Sequence, residues 1–123
     1  MEIAGRMRSA AQKADSTSPR EIAEGFAMIT RIVSDKRDAR ETEFGFLDNA
    51  LFLARKNASH EDGTVREAVV DMLASVGGMN PSWRAAAMET ADEIGLQPSK
   101  RARFVAERVL EILNEQERNI NPS

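Results

Sequence analysis

The stretch SPREIAEGFAMITRIV, residues 18–33, decides the kind of fold this chain adopts. Ser18 can accept a hydrogen bond at a helix start. Pro19 suits the first helical position, where a missing N–H costs nothing, and Glu21 completes a capping box. Ile22, Phe26, Ile29 and Val33 then recur at steps of three and four, one narrow apolar stripe. That period buries one side of a helix and leaves the other in water.

The same grammar extends in both directions. Upstream, MEIAGRMRSAAQKA (1–14) sets Ile3, Met7, Ala10, Ala11 and Ala14 at helical spacing, with Arg6, Arg8 and Lys13 elsewhere on the cylinder. Gly5 costs this helix about 1 kcal/mol relative to alanine, so fraying of its first turn is expected. DSTS (15–18) is the polar break. Downstream, SDKRDARETE (34–43) is a dense charge run without Gly or Pro. It is either a continuous solvated helix or a short bend, and a break is expected between residues 35 and 38.

FGFLDNALFLARK (44–56) is the most apolar piece. Phe44, Phe46, Leu47, Ala50, Leu51, Leu53 and Ala54 cover about half the helical circumference, wider than one amphipathic stripe. Such a helix is either central in a bundle or shared between the core and a subunit interface. Phe44, Phe46, Leu47, Leu51 and Leu53 are the candidate interface residues. Val33, Arg40, Phe44, Leu47, Leu51 and Ala54 also fall near three-four spacing, a run too short, and broken by Arg40, for a coiled coil.

NASHEDG (57–63) is the longest loop, with Asp62-Gly63 as its turn signal. Thr64 and Glu67 form a second capping box ahead of Val65, Val69, Met72, Leu73 and Val76, and Gly77-Gly78 ends that helix. Asn80 caps the next one with Pro81 in first position, followed by Trp83, Ala87, Ala91 and Ile94. Gly95 ends it, with Leu96 expected to fold back on Ala91. A last helix runs from about residue 98 to 117, and residues 118–123 form a loose tail. The expectation is all-α: one domain over residues 1–117, a small bundle of five to six helices, without strands or repeats.

Composition narrows the function. At 123 residues and net charge −3, the chain is one domain whose surface as a whole is not basic enough to coat nucleic acid or membranes. It has no cysteine, hence no disulfide or thiolate metal site. Its single histidine, His60, lies in the loop, so no catalytic apparatus, metal site or cofactor is expected. The paired acids Asp35/Asp38 and Glu61/Asp62 read as solvated. No Gly-rich loop ending in Lys-Ser/Thr offers a nucleotide site. No apolar run approaches the roughly 18 residues that span a bilayer, and the N-terminus lacks the apolar core of a secretory signal, so a cytoplasmic protein is expected.

GLQPSKRARF (95–104) carries the functional signal. Ala102, Val105, Ala106, Val109, Leu110, Ile112 and Leu113 share one face of the last helix. Lys100, Arg101, Arg103 and Arg108 take the rest, with Phe104 among them. Acids would suit the first turn better, because the helix dipole favours anions there. Cations at that place can hold phosphates while Phe104 stacks on a base; the alternative is that Phe104 packs against another element, or against a neighbouring subunit, with arginine stems around it. ETADEIGLQPSKRARF also has a helix-turn-helix cadence: Ala91 stands four before Gly95, and Ile94 and Leu96 flank that glycine. Arg101 takes the place of the apolar residue that follows in that motif.

NPSWRAAAMETADEIGLQPSKRARF (80–104) resembles the C-terminal region of a family of phage terminase small subunits. Asn80, Pro81, Gly95, Leu96, Pro98, Ser99, Arg101, Ala102 and Arg103 match its pattern. Gln97 replaces the usual threonine, Lys100 the usual serine, and the intervening helix is shorter by more than a turn. The resemblance spans about a fifth of the chain. It implies a non-enzymatic, ring-forming DNA-packaging component in a bacterial host cell, with double-stranded DNA and a large terminase subunit as partners. On that reading Lys100, Arg101, Arg103, Phe104 and Arg108, with Arg6, Arg8 and Lys13, contact nucleic acid. The competing expectation is a helical protein-interaction module that uses the face around Phe44 to Leu53, with an enzyme of unfamiliar type as a third.

Overall fold

In a computed structural model that describes residues 2–120, the chain is all helical. Seven helices follow one another: α1 (Ile3–Ala14), α2 (Pro19–Ser34), α3 (Lys36–Glu41), α4 (Phe44–Asn57), α5 (Gly63–Gly77), α6 (Pro81–Gly95) and α7 (Lys100–Ile120). The extra helix is α3, where the charge run was expected to bend. Asp35, with φ −86° and ψ 121°, ends α2, and its carboxylate accepts from the Asp38 N–H at 2.9 Å to start α3. α3 buries no residue of its own. At the far end α7 continues past Glu117 to Ile120, and residues 121–123 lie outside the described residues.

α5 is the central element, packed against α2, α4, α6 and α7. Val65, Val69, Val70, Met72, Leu73 and Val76 are all buried. Each such side chain contributes about 1.5–3 kcal/mol on leaving water. α4 is therefore not the centre of the bundle. It lies to one side, touching α1, α5 and α6, and Leu47, Ala50, Leu51, Leu53 and Ala54 supply its core residues.

α1 and α2 approach most closely at Gly25. A Cβ there would stand 2.8 Å from the Ala10 carbonyl and the Ala14 Cα, and nearer still to the Ala14 nitrogen. Only hydrogen fits between those backbones. The small residues Ala10 and Ala14 on α1 are the other half of this contact, and both are buried.

Several helix ends differ from expectation in detail. Ser18 accepts from the Glu21 N–H at 3.4 Å, but the Glu21 carboxylate bonds the Ser16 hydroxyl at 2.6 Å. Ser16 in turn receives the Ser18 N–H at 3.0 Å, so an extra hydroxyl is inserted into the expected capping box. α5 is capped by Asp62, which accepts from the Thr64 N–H at 2.8 Å, and not by Thr64. Aspartate is an equally good cap and stands first in the chain. Asn80 caps α6 as expected, accepting from the Trp83 N–H at 2.8 Å.

Candidate nucleic-acid interface

The connection between α6 and α7 sets the geometry of the site. Ala91 and Ile94 bury the end of α6, and a Cβ on Gly95 would stand 3.4 Å from the Ala106 Cβ of α7. Gly95 is not a left-handed ending, since no described residue has positive φ. Leu96 carries on in a right-handed turn, its N–H donating to the Glu93 carbonyl and the Gln97 N–H to the Ile94 carbonyl. Its side chain is 86% exposed and does not fold back on Ala91. Gln97 then donates from Nε2 to the Arg55 carbonyl at 2.9 Å, fastening the turn to α4. Arg55 meets Glu93 at 3.3 Å and Thr90 at 3.5 Å, so the end of α6 is clamped from the same side.

Ser99 starts α7. Its hydroxyl accepts from the Ala102 N–H at 3.3 Å and its carbonyl from the Arg103 N–H at 3.0 Å. The helix buries Ala102, Val105, Ala106, Val109 and Leu113 against α5 and α6. At 3.6 residues per turn Phe104 points nearly opposite that face. Its ring is 71% exposed. The alternative of a ring sealed among arginine stems is thereby excluded within this subunit.

Lys100, Arg101 and Arg103 are exposed around the ring, and among the described residues none of them meets an acid within ion-pair distance. No acid lies in the first turn of α7. Arg108, one turn beyond Phe104, reaches Glu111 at 3.4 Å in a solvent-exposed pair. A shallow groove of about 260 Å³ runs beside the ring, lined by Lys100, Arg103, Phe104 and Glu107.

The cations of α1 have other employment. Arg6 makes a two-pronged bond to Asp38, both contacts at 3.0 Å, and so ties α1 to α3. That bond holds the Asp38 carboxyl below its ordinary pKa against the opposing effect of partial burial, with further help from Arg6 and Arg37 charge; it raises Arg6 in the same way. Lys13 meets Glu24 of α2 at 3.3 Å. Arg8 is exposed. The eight expected nucleic-acid contacts, seven cations and Phe104, thus divide into a cluster on α7 and a set on α1, of which two are committed to structure.

The expected interface on α4 divides as well. Leu47, Leu51 and Leu53 are buried in this chain's own core and offer no surface. Phe46 is half-buried, and the side chain of Phe44 lies outside the described residues. Phe52, which the apolar arc did not single out, is 54% exposed. An aromatic on the far side of a helix with a wide apolar arc was the available signal, and it is the one that marks Phe104.

His60 takes part in the loop before α5, its Nδ1 accepting the Asp62 N–H at 3.0 Å. Arg66 donates to the carbonyls of His60 and Glu61 at 2.7 and 2.8 Å. Among the described residues no group of three or more acidic or histidine side chains could hold a metal ion, and no helix is long and apolar enough to cross a membrane. Comparisons with protein-family models, with curated proteins and with solved structures return no match.

Proposed function

We propose that this chain is a non-enzymatic DNA-binding protein and that the start of α7 is the surface that meets the phosphates. One observation carries the proposal: Phe104 stands in solvent, ringed by Lys100, Arg101 and Arg103, with no acid paired to those three among the described residues. Cations left unneutralised beside an exposed aromatic fit a polyanion that also offers a flat apolar partner. The arrangement runs against the helix dipole, and a locally unfavourable choice is where function tends to lie. α6, the connection 96–99 and α7 form the helix-turn-helix-like pair of this reading, with the start of α7 turned towards the nucleic acid. A role in viral DNA packaging beside a large terminase subunit rests on the resemblance of residues 80–104 alone. A ring-like oligomer would join through α4, where Phe46 and Phe52 remain accessible to a second copy.

The second reading, a protein-interaction module without nucleic acid, is favoured by the exposure of Phe52, Leu96 and Phe104 together. Ionic strength separates the two, since phosphate contacts release counterions and weaken steeply with salt. Fluorescence anisotropy on labelled DNA at about 50 and 200 mM salt, with an Arg101→Ala/Arg103→Ala variant alongside, makes the test. Binding that is lost with salt, and weakened roughly tenfold or more by the double substitution, supports the DNA reading. No binding at low salt, or indifference to both substitutions, leaves the interaction module. Light scattering in the same buffers reports the oligomer.

A further inference from the structure

We infer that the site on α7 takes an unpaired base, so that its ligand is single-stranded nucleic acid or an opened end rather than an intact duplex. This rests on the reading of Lys100, Arg101 and Arg103 as phosphate contacts and adds what Phe104 and its groove are for. A phenyl ring has no donor or acceptor, so it cannot read the polar edges that a duplex displays in its grooves. Its useful surface is its face, and the partner for a face is another flat ring. In a duplex the base faces cover one another. In a single strand they are free, and aromatic side chains beside a positively charged surface are a common platform for them.

The groove beside the ring sharpens the assignment. Its lining holds Lys100 and Arg103 but also the carboxylate of Glu107. A phosphate seated there would meet that negative charge. A base would not, and Glu107 can accept a hydrogen bond from an exocyclic amino group. The groove therefore suits the base, and the outer cations suit the backbone on either side of it. Lys100 precedes Phe104 by about one helical turn and Arg108 follows by about one, with Arg101 and Arg103 at the flanks. A strand crossing α7 at Phe104 would thus have a cation to each side of the stacked base. Arg108 is only loosely held by Glu111, both side chains being more than half exposed.

The test compares a labelled single-stranded oligonucleotide of about 20 nucleotides with the duplex of the same sequence, by anisotropy at one salt concentration. Four proteins are used: the unaltered chain, Phe104→Ala, Phe104→Leu and Phe104→Trp. Because the side chain is exposed, circular dichroism should report the same helicity for all four. The expected result is tighter binding of the single strand. Phe104→Ala and Phe104→Leu should each weaken that binding roughly tenfold while changing duplex binding less than about twofold, and Phe104→Trp should retain it. Leucine separates stacking from mere apolar contact. Equal binding of the two forms, or a Leu variant as good as Phe, overturns the inference while leaving the phosphate-binding reading intact. No binding of either form removes both.

Discussion

Two basic regions of the molecule, alike in sequence, are used in opposite ways. On α1, Arg6 and Lys13 each find a carboxylate on a neighbouring helix, Asp38 and Glu24. On α7, Lys100, Arg101 and Arg103 meet none among the described residues, and Phe104 beside them faces outward. The first arrangement closes the fold upon itself. The second leaves charge and ring to something outside it. What separates them is the tertiary placement of acids, since both helices carry their cations in the same density along the chain.

If that contrast is sound, damage to the α1 region should appear as lost stability, and changes at the start of α7 as lost binding. The largest effect is expected at the α1–α2 contact. Gly25→Ala places a methyl group against the backbone of Ala10 and Ala14, where no side chain can swing aside. A loss of about 3 kcal/mol or more is expected in urea unfolding, near the top of the range for overpacking. A change under about 0.5 kcal/mol would show that α1 is not held as described.

Smaller, and dependent on pH, is the effect of Asp38→Asn. The Arg6 hydrogen bond depresses the Asp38 pKa in the folded protein, so the pair stabilises most above the ordinary carboxylate range. That contribution fades as pH falls through the folded pKa. The variant should melt below the unaltered protein at pH 7, and the gap should narrow on acidification below the ordinary carboxylate range. A gap independent of pH would assign the loss to something other than the carboxylate.

The smallest effect on stability, and the one of opposite sign, belongs to Arg101→Glu. An acid in the first turn suits the helix dipole, so stability should rise by a few tenths of a kcal/mol even as DNA binding falls sharply. A residue whose replacement improves the fold and impairs binding is present for its ligand. Impaired folding instead would make Arg101 structural and erase the contrast with α1.

Much of this was legible in the chain because it is local. Helix starts at Ser18-Pro19 and Asn80-Pro81 follow from backbone donors that need acceptors. The outward direction of Phe104 follows from helical period alone. What escaped depends on neighbours distant in sequence. That Arg6 would turn to Asp38, or Gln97 to the Arg55 carbonyl, requires knowing which helices touch. Gly95 looked like a left-handed terminator because glycine often is one, yet here its φ is not positive and a Cβ would meet Ala106 at 3.4 Å, close to ordinary contact. Leu96 was expected inward and stands in water for the same reason: the chain stays right-handed and never reverses onto Ala91. The wide arc of α4 was read as a helix either central in the bundle or shared with a subunit interface; its leucines serve the core from one side, and α5 takes the centre.

The start of α7 either carries phosphates or it does not, and the slope of log affinity against log salt counts them. Neutralising Lys100, Arg101 and Arg103 together to glutamine should reduce that slope by roughly two to three, at about 0.7 to 0.9 per phosphate contact, with helicity unaltered and with an Arg6→Gln/Lys13→Gln protein keeping its slope. A triple variant whose slope matches that of the unaltered chain would mean that these cations hold no polyanion.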